Sequence, residues 1–76
     1  MKENKANFEL GNHICFYRKK QGLSQTDLAT IIGVHWQSIS RWENGKGGLR
    51  MSLKTLIKLM HALQVDTDVL IGGIKL

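Results

Sequence analysis

The sequence has no proline and only one cysteine among its 76 residues. A lone cysteine excludes an internal disulfide and supplies no second thiol at metal-ligand spacing, so Cys15 reads as a reduced, partly buried helix residue. His13, His35 and His61 share no ligand spacing with one another or with a carboxylate pair, and surface or boundary positions are the plainer reading. No apolar run approaches the roughly 20 residues that cross a bilayer, and the N-terminus has no apolar signal core, so the expectation is a cytoplasmic protein with no membrane partner. Without proline, repeats or low-complexity tracts there is no visible linker, which leaves one small domain with a single modest core. Enzyme chemistry has nothing to stand on: there is no carboxylate pair, no nucleophile and base constellation and no metal cluster. Gly45 to Gly48 follows a helical pattern instead of preceding one, and Lys46 lies too close to Gly45 for a phosphate-binding loop. No cofactor is expected.

Acid is also scarce. Six Asp and Glu stand against eleven Lys and Arg, a formal charge of +5, with a pI near 9.7. A basic balance points towards a polyanion, although many small domains are basic without one. Placement says more than the total. Between positions 41 and 58 lie Arg41, Lys46, Arg50, Lys54 and Lys58, with Glu43 the one acid among them.

The chain is organised around residues 24–45. Ser24 can accept a bond from an otherwise unpaired N–H and Asp27 suits the first turn, so a helix opens here. Leu28, Ile31 and Ile32 recur at helical spacing and give it an apolar face. Gly33 then stops it, because glycine enters the left-handed region without steric cost. A second helix starts near His35 and ends at Gly45. Two short helices joined by a glycine turn make a helix-turn-helix.

At about 100° per residue the second helix has Ile39 and Trp42 on its inner face, with Gln37, Ser40, Arg41 and Asn44 opposite. Such a face suits base edges in a major groove, where Arg bonds guanine and Gln bonds adenine. An ordinary solvated face is the bland alternative, and the cap and the glycine turn favour DNA over it. Glu43 falls only about 40° from Ile39, towards the interior. A buried carboxylate needs a partner, since breaking such a pair costs about 3–5 kcal/mol, and Arg18 on the preceding helix is the candidate.

The rest follows the same logic. Residues 1–7, with Lys2 and Lys5, read as a flexible arm. Asn7 can cap a first helix that runs to about Gln21, with Leu10, Ile14 and Tyr17 inward and Phe8 and Phe16 on its outer side. The glycine-rich loop 45–51 reads as mobile and close to the backbone of a nucleic acid. Ser52 caps a fourth helix with a stripe of Leu53, Leu56, Ile57, Met60 and Leu63, leaving Lys54, Lys58 and His61 outside. Asp66 caps a short fifth helix with Val69 and Leu70 inward, ended by Gly72-Gly73. The tail 74–76, Ile74-Lys75-Leu76, is apolar enough to pack with a second copy. The domain proper is 8–73.

This chain resembles the phage repressor and Cro type of helix-turn-helix, also called the XRE family. The resembling positions are Leu10, Ile14 and Arg18, then Gly22-Leu23-Ser24-Gln25, Leu28-Ala29, Gly33-Val34, the run from Ile39 to Lys46, and later Ser52-Leu53, Leu56, Ala62-Leu63 and Val65. The resemblance implies an all-α, five-helix, lambda-repressor-like DNA-binding domain. It implies that Trp36, Gln37 and Arg41 face bases with Ser40 beside them, and that Gln25, Asn44 and Lys46 hold phosphates. Family members often pair the residues matching Arg18 and Glu43. His35 departs from the usual Ser, Thr or Asn cap. Trp36 stands where a small or polar base reader is common, and it either meets thymine methyls, packs on the DNA backbone or faces a protein. The 45–51 loop is about two residues longer than usual and lacks the family's proline.

The function expected is a sequence-specific regulator of transcription, a repressor, acting as a homodimer on a palindromic operator of double-stranded DNA. Two alternatives stand beside it. One is an antitoxin that also binds a toxin through Phe8, Phe16 and the tail. The other is a protein-interaction module that keeps the fold without reading DNA, anchored by Trp36.

Overall fold

Each helix begins and ends where its local chemistry allows. The computed structural model describes residues 5–74, and α1 spans Lys5–Lys20, two residues ahead of the expected Asn7 cap. Asn7 lies inside the helix, and its side-chain carbonyl accepts the Leu49 N–H across the molecule at 2.9 Å. Ala6 is fully buried. Of the expected arm, Lys5 thus opens α1, whereas Lys2 lies outside the described residues.

Helix α2 spans Gln25–Ile32 behind a reciprocal cap. The Ser24 hydroxyl accepts the Asp27 N–H at 2.9 Å, and the Asp27 carboxylate accepts the Ser24 N–H at 3.0 Å. Two N–H groups with no helical partner are satisfied at once. Gly33 turns the chain at φ 75° and ψ 35°, a conformation a β-carbon resists. Helix α3 follows as Trp36–Glu43; His35 takes the extended cap conformation but its side chain makes no capping bond.

The 45–51 loop is not a loose excursion. Gly48–Arg50 form a 3-10 turn, Gly45 lies under the Phe8 ring and Gly48 against Leu10. With the Asn7 bond to Leu49, this ties the segment to α1: Gly45 and Gly48 serve close packing, and Gly47 supplies a left-handed turn at φ 75°. Helix α4, Leu53–Leu63, is capped by Ser52, whose hydroxyl accepts the Thr55 N–H. Helix α5, Thr67–Leu70, is capped in the same way by Asp66. No strand occurs among the described residues.

The core joins Leu10 and Ile14 of α1, Leu28, Ala29 and Ile32 of α2, Ile39 of α3, Leu59 and Leu63 of α4, and Leu70 of α5. Helix α1 lies along α3 and the 3-10 turn, while α2 packs on α3 and α4. The α1–α3 crossing is close because Gly11 has no side chain: a β-carbon there would collide with the Trp42 carbonyl oxygen and crowd the Glu43 backbone.

Four expected core residues face outward. Ile31 and Val69 are exposed, and α4 turns Leu53 and Ile57 to solvent and Leu59 inward. Apolar residues at 53, 56, 57, 59, 60 and 63 offer two overlapping stripes. Packing against α2 and α1 selects the one through Leu56, Leu59, Met60 and Leu63. At the far end Ile74 is partly buried against the core, and Lys75 and Leu76 lie outside the described residues.

Candidate nucleic-acid interface

Helix α3 is held by its inner face and free on its outer one. Ile39 is fully buried in the core, and Trp42 packs against it half-buried. Glu43 provides a third attachment. Arg18 grips it with two bonds, Nε to Oε2 at 2.6 Å and Nη2 to Oε1 at 3.0 Å, and Arg18 Nη1 donates to the Leu23 carbonyl at 2.8 Å. This forked geometry matches guanidinium to carboxylate and fixes direction as well as distance. The side chains of the pair are only 9% and 6% exposed, so solvent screens the contact little.

Burial pushes the Glu43 carboxyl up, but the bonds from Arg18 and Gln25 and the Arg18 charge outweigh it and hold the group below its ordinary value. The bond to Glu43 raises Arg18 against its own desolvation. At the exposed end of α2, the Ser24 N–H holds Asp27 below the usual carboxylate range, which keeps the cap charged.

Gln25 is the residue whose place differs most from the resemblance. Its amide nitrogen donates to Glu43 Oε1 at 3.0 Å, making Gln25 a strut between α2 and α3. The phosphate role expected of it is left with the second N–H alone. Nothing in the spacing of α2 announces this, because the contact spans two helices whose crossing is set by the Gly33 turn.

The outer face gathers the rest. Gln37 and Arg41, one turn apart, are both exposed, with Ser40 half-buried beside them. The Arg41 guanidinium reaches back over Gly47, 3.6 Å from where a β-carbon there would stand. Trp36 opens the helix and is 51% exposed. Asn44 closes it, donating from its side chain to the Ser40 carbonyl at 2.8 Å, so one of its two amide N–H groups is already used. Lys46 is exposed just past the helix end, with its backbone N–H on the Arg41 carbonyl at 2.9 Å. The structure therefore brings Gln37, Ser40, Arg41, Asn44 and Lys46 to one side of α3 and its exit, and sets Gln25 between helices.

Electrostatically the region is one-sided. Arg41, Lys46, Arg50, Lys54 and Lys58 are all exposed, whereas Glu43 is turned inward and spent on Arg18. Among the described residues no cluster of His, Cys, Asp and Glu is arranged to hold a metal ion. None of the described helices is long and apolar enough to cross a membrane.

Comparison with known proteins points the same way. The helix-turn-helix family profile matches residues 16–70. Over 56 residues the chain is 39% identical to the SPbeta prophage-derived uncharacterized HTH-type transcriptional regulator YonR of Bacillus subtilis (strain 168). That match covers 74% of this chain and 50% of YonR, so the chain spans about half the length of the curated relative it matches. On the matched span from α1 to α5, the chain belongs to the helix-turn-helix family of phage repressor and Cro, or XRE, type.

Proposed function

We propose that this chain is a sequence-specific regulator of transcription that places α3 in the major groove of double-stranded DNA and represses from a palindromic operator as a homodimer. One observation carries the reading: Gln37 and Arg41 lie exposed one turn apart on a helix whose opposite face is locked by Ile39 and by Glu43. Arg41 reads a guanine edge and Gln37 an adenine edge, each contributing roughly 1–3 kcal/mol of discrimination. Ser40 and Trp36 flank them, Trp36 against a thymine methyl. Lys46 and the remaining Asn44 N–H take phosphates, which sets register without reading sequence. Arg18, Glu43 and Gln25 hold the helix and touch no base. The family and the name of the prophage relative support this reading.

Selection of bound duplexes from a random pool at two salt concentrations tests it. With the selected site in hand, Arg41→Ala is expected to weaken that site about 10- to 100-fold, relax preference at one base pair and leave random DNA nearly unaffected. Equal losses on both duplexes would remove Arg41 as a base reader.

Exposed Phe16, edge-on to Tyr17 with ring centroids 4.9 Å apart, favours a second reading, an antitoxin that binds a toxin as well as DNA. A stoichiometric protein partner released by Phe16→Ser, with DNA binding intact, would select it.

A further inference from the structure

A cavity of about 350 Å³ opens between the end of α1 and the turn from α4 into α5. Helix α1 supplies Tyr17, Lys20 and Gln21 to its lining, and the other side supplies Gln64, Asp66 and Val69. All six lie outside the helix-turn-helix of residues 24–45.

The polar part of this lining is unspent. Lys20 holds its ammonium 5.9 Å from the Tyr17 ring centroid and makes no ion pair among the described residues. Asp66 accepts the Val69 N–H with Oδ1 at 3.0 Å, and its Oδ2 has no partner among the described residues. Cation and carboxylate thus line one cavity from its two sides without pairing with each other. The side-chain amides of Gln21 and Gln64 and the Tyr17 hydroxyl make no hydrogen bond among the described residues either.

Gln64 ends α4 at φ 57° and ψ 44°, the one non-glycine residue with positive φ among the described residues. Glycine ordinarily takes such a position, because a β-carbon is crowded there. Backbone strain of this kind clusters at binding sites. Here it keeps an amide in the cavity lining where glycine would leave none.

We propose that this cavity binds a free α-amino acid with an apolar or aromatic side chain. At neutral pH such a molecule carries both charges. Its carboxylate meets the Lys20 ammonium and the Gln21 and Gln64 amides, its ammonium meets Asp66 Oδ2, and its side chain lies on the Tyr17 ring and Val69. An anion alone would leave Asp66 unmatched, and a cation alone would leave Lys20 so. The volume is at the small end of ligand pockets, about 300–1,000 Å³, which suits one amino acid better than a peptide. Lys20 and Asp66 are exposed, so solvent screens both contacts, and the dissociation constant should be on the order of 1 mM. The site is separate from α3 and stands whether or not that helix reads DNA.

The test titrates the isotope-labelled full chain with L-leucine, L-phenylalanine and L-tryptophan and follows backbone amides by NMR. Saturable shifts centred on residues 17–21 and 63–69 are expected. N-acetyl-L-phenylalanine lacks the cation and L-phenylalaninamide lacks the anion, and each should bind at least about tenfold more weakly than L-phenylalanine. Lys20→Gln and Asp66→Asn should each weaken L-phenylalanine about tenfold with little change in melting temperature, since both positions are exposed and Asn still caps α5. Gln64→Gly should raise the melting temperature by relieving the strained cap and still weaken the amino acid. Absence of saturable shifts with all three amino acids, equal binding of either modified probe, or undiminished binding in any of the three variants would overturn the proposal.

Discussion

Glu43 shows how one residue couples the fold to the surface. Its carboxylate is almost wholly buried, yet it takes bonds from Arg18 and Gln25, so α1, α2 and α3 converge on one side chain. Glu43→Ala leaves the Arg18 charge in the interior without its counter-charge, and an expected cost of about 3–5 kcal/mol should appear as a lowered urea midpoint. Acid should remove the same interaction. The folded-state pKa of Glu43 lies below the ordinary 4.5, so its contribution to stability is fully present above that value and is lost as pH falls from 4.5 through the folded pKa. Urea titrations from pH 7 to pH 3 should show a steeper acid loss in wild type than in an Arg18→Met/Glu43→Leu variant, and parallel curves would deny the pair its role. At this scale the pair was legible, because a helical wheel turns Glu43 towards Ile39. The Gln25 strut and the Arg18 bond to the Leu23 carbonyl were not, since both depend on how helices cross.

Elements follow their caps closely and their stripes less so. Ser24, Ser52 and Asp66 start helices because each meets an unpaired N–H within three residues, a local demand that spacing reveals. Which stripe of α4 turns inward is not local. Leu59 wins over Leu53 and Ile57 through the packing of α4 on α2 and α1, and a periodic count sees both stripes equally. The 45–51 segment differs from its expectation for a related reason: its glycines suggest freedom, but Phe8 and Leu10 sit where side chains at Gly45 and Gly48 would be. Gly11 is the sharpest case. In a helix interior alanine is ordinarily the better residue by about 1 kcal/mol, yet here a methyl group meets the Trp42 carbonyl and the Glu43 backbone, which cannot move aside. Gly11→Ala should therefore destabilise the domain by about 1–3 kcal/mol, measured by urea denaturation. A stabilised variant would mean that α1 and α3 can separate without cost.

At the scale of the whole molecule, the excess of basic residues matters through its position. A charge of +5 spread evenly would give weak, diffuse attraction to any polyanion. Here the uncompensated cations run from Arg41 to Lys58, and the acid among them is turned inward and paired. Phosphate contacts release condensed counterions, so binding should weaken with salt at a slope of about 0.9 per phosphate neutralised. Lys46 sits at the exit of α3 with no ion-pair partner seen among the described residues, and Lys46→Ala should weaken selected and random duplexes alike. The slope of log affinity against log salt should fall by about 0.9 on a half-site, and by roughly twice that when two copies fill a palindrome. Arg41→Ala should instead lower the ratio of specific to random binding, because a base contact carries sequence information that a phosphate contact lacks. Measured together by fluorescence anisotropy at four or five salt concentrations, the two variants separate positioning from reading. If Lys46→Ala changed preference between sequences and left the salt slope alone, the phosphate backbone would lie elsewhere on the protein and α3 would be turned differently in the groove.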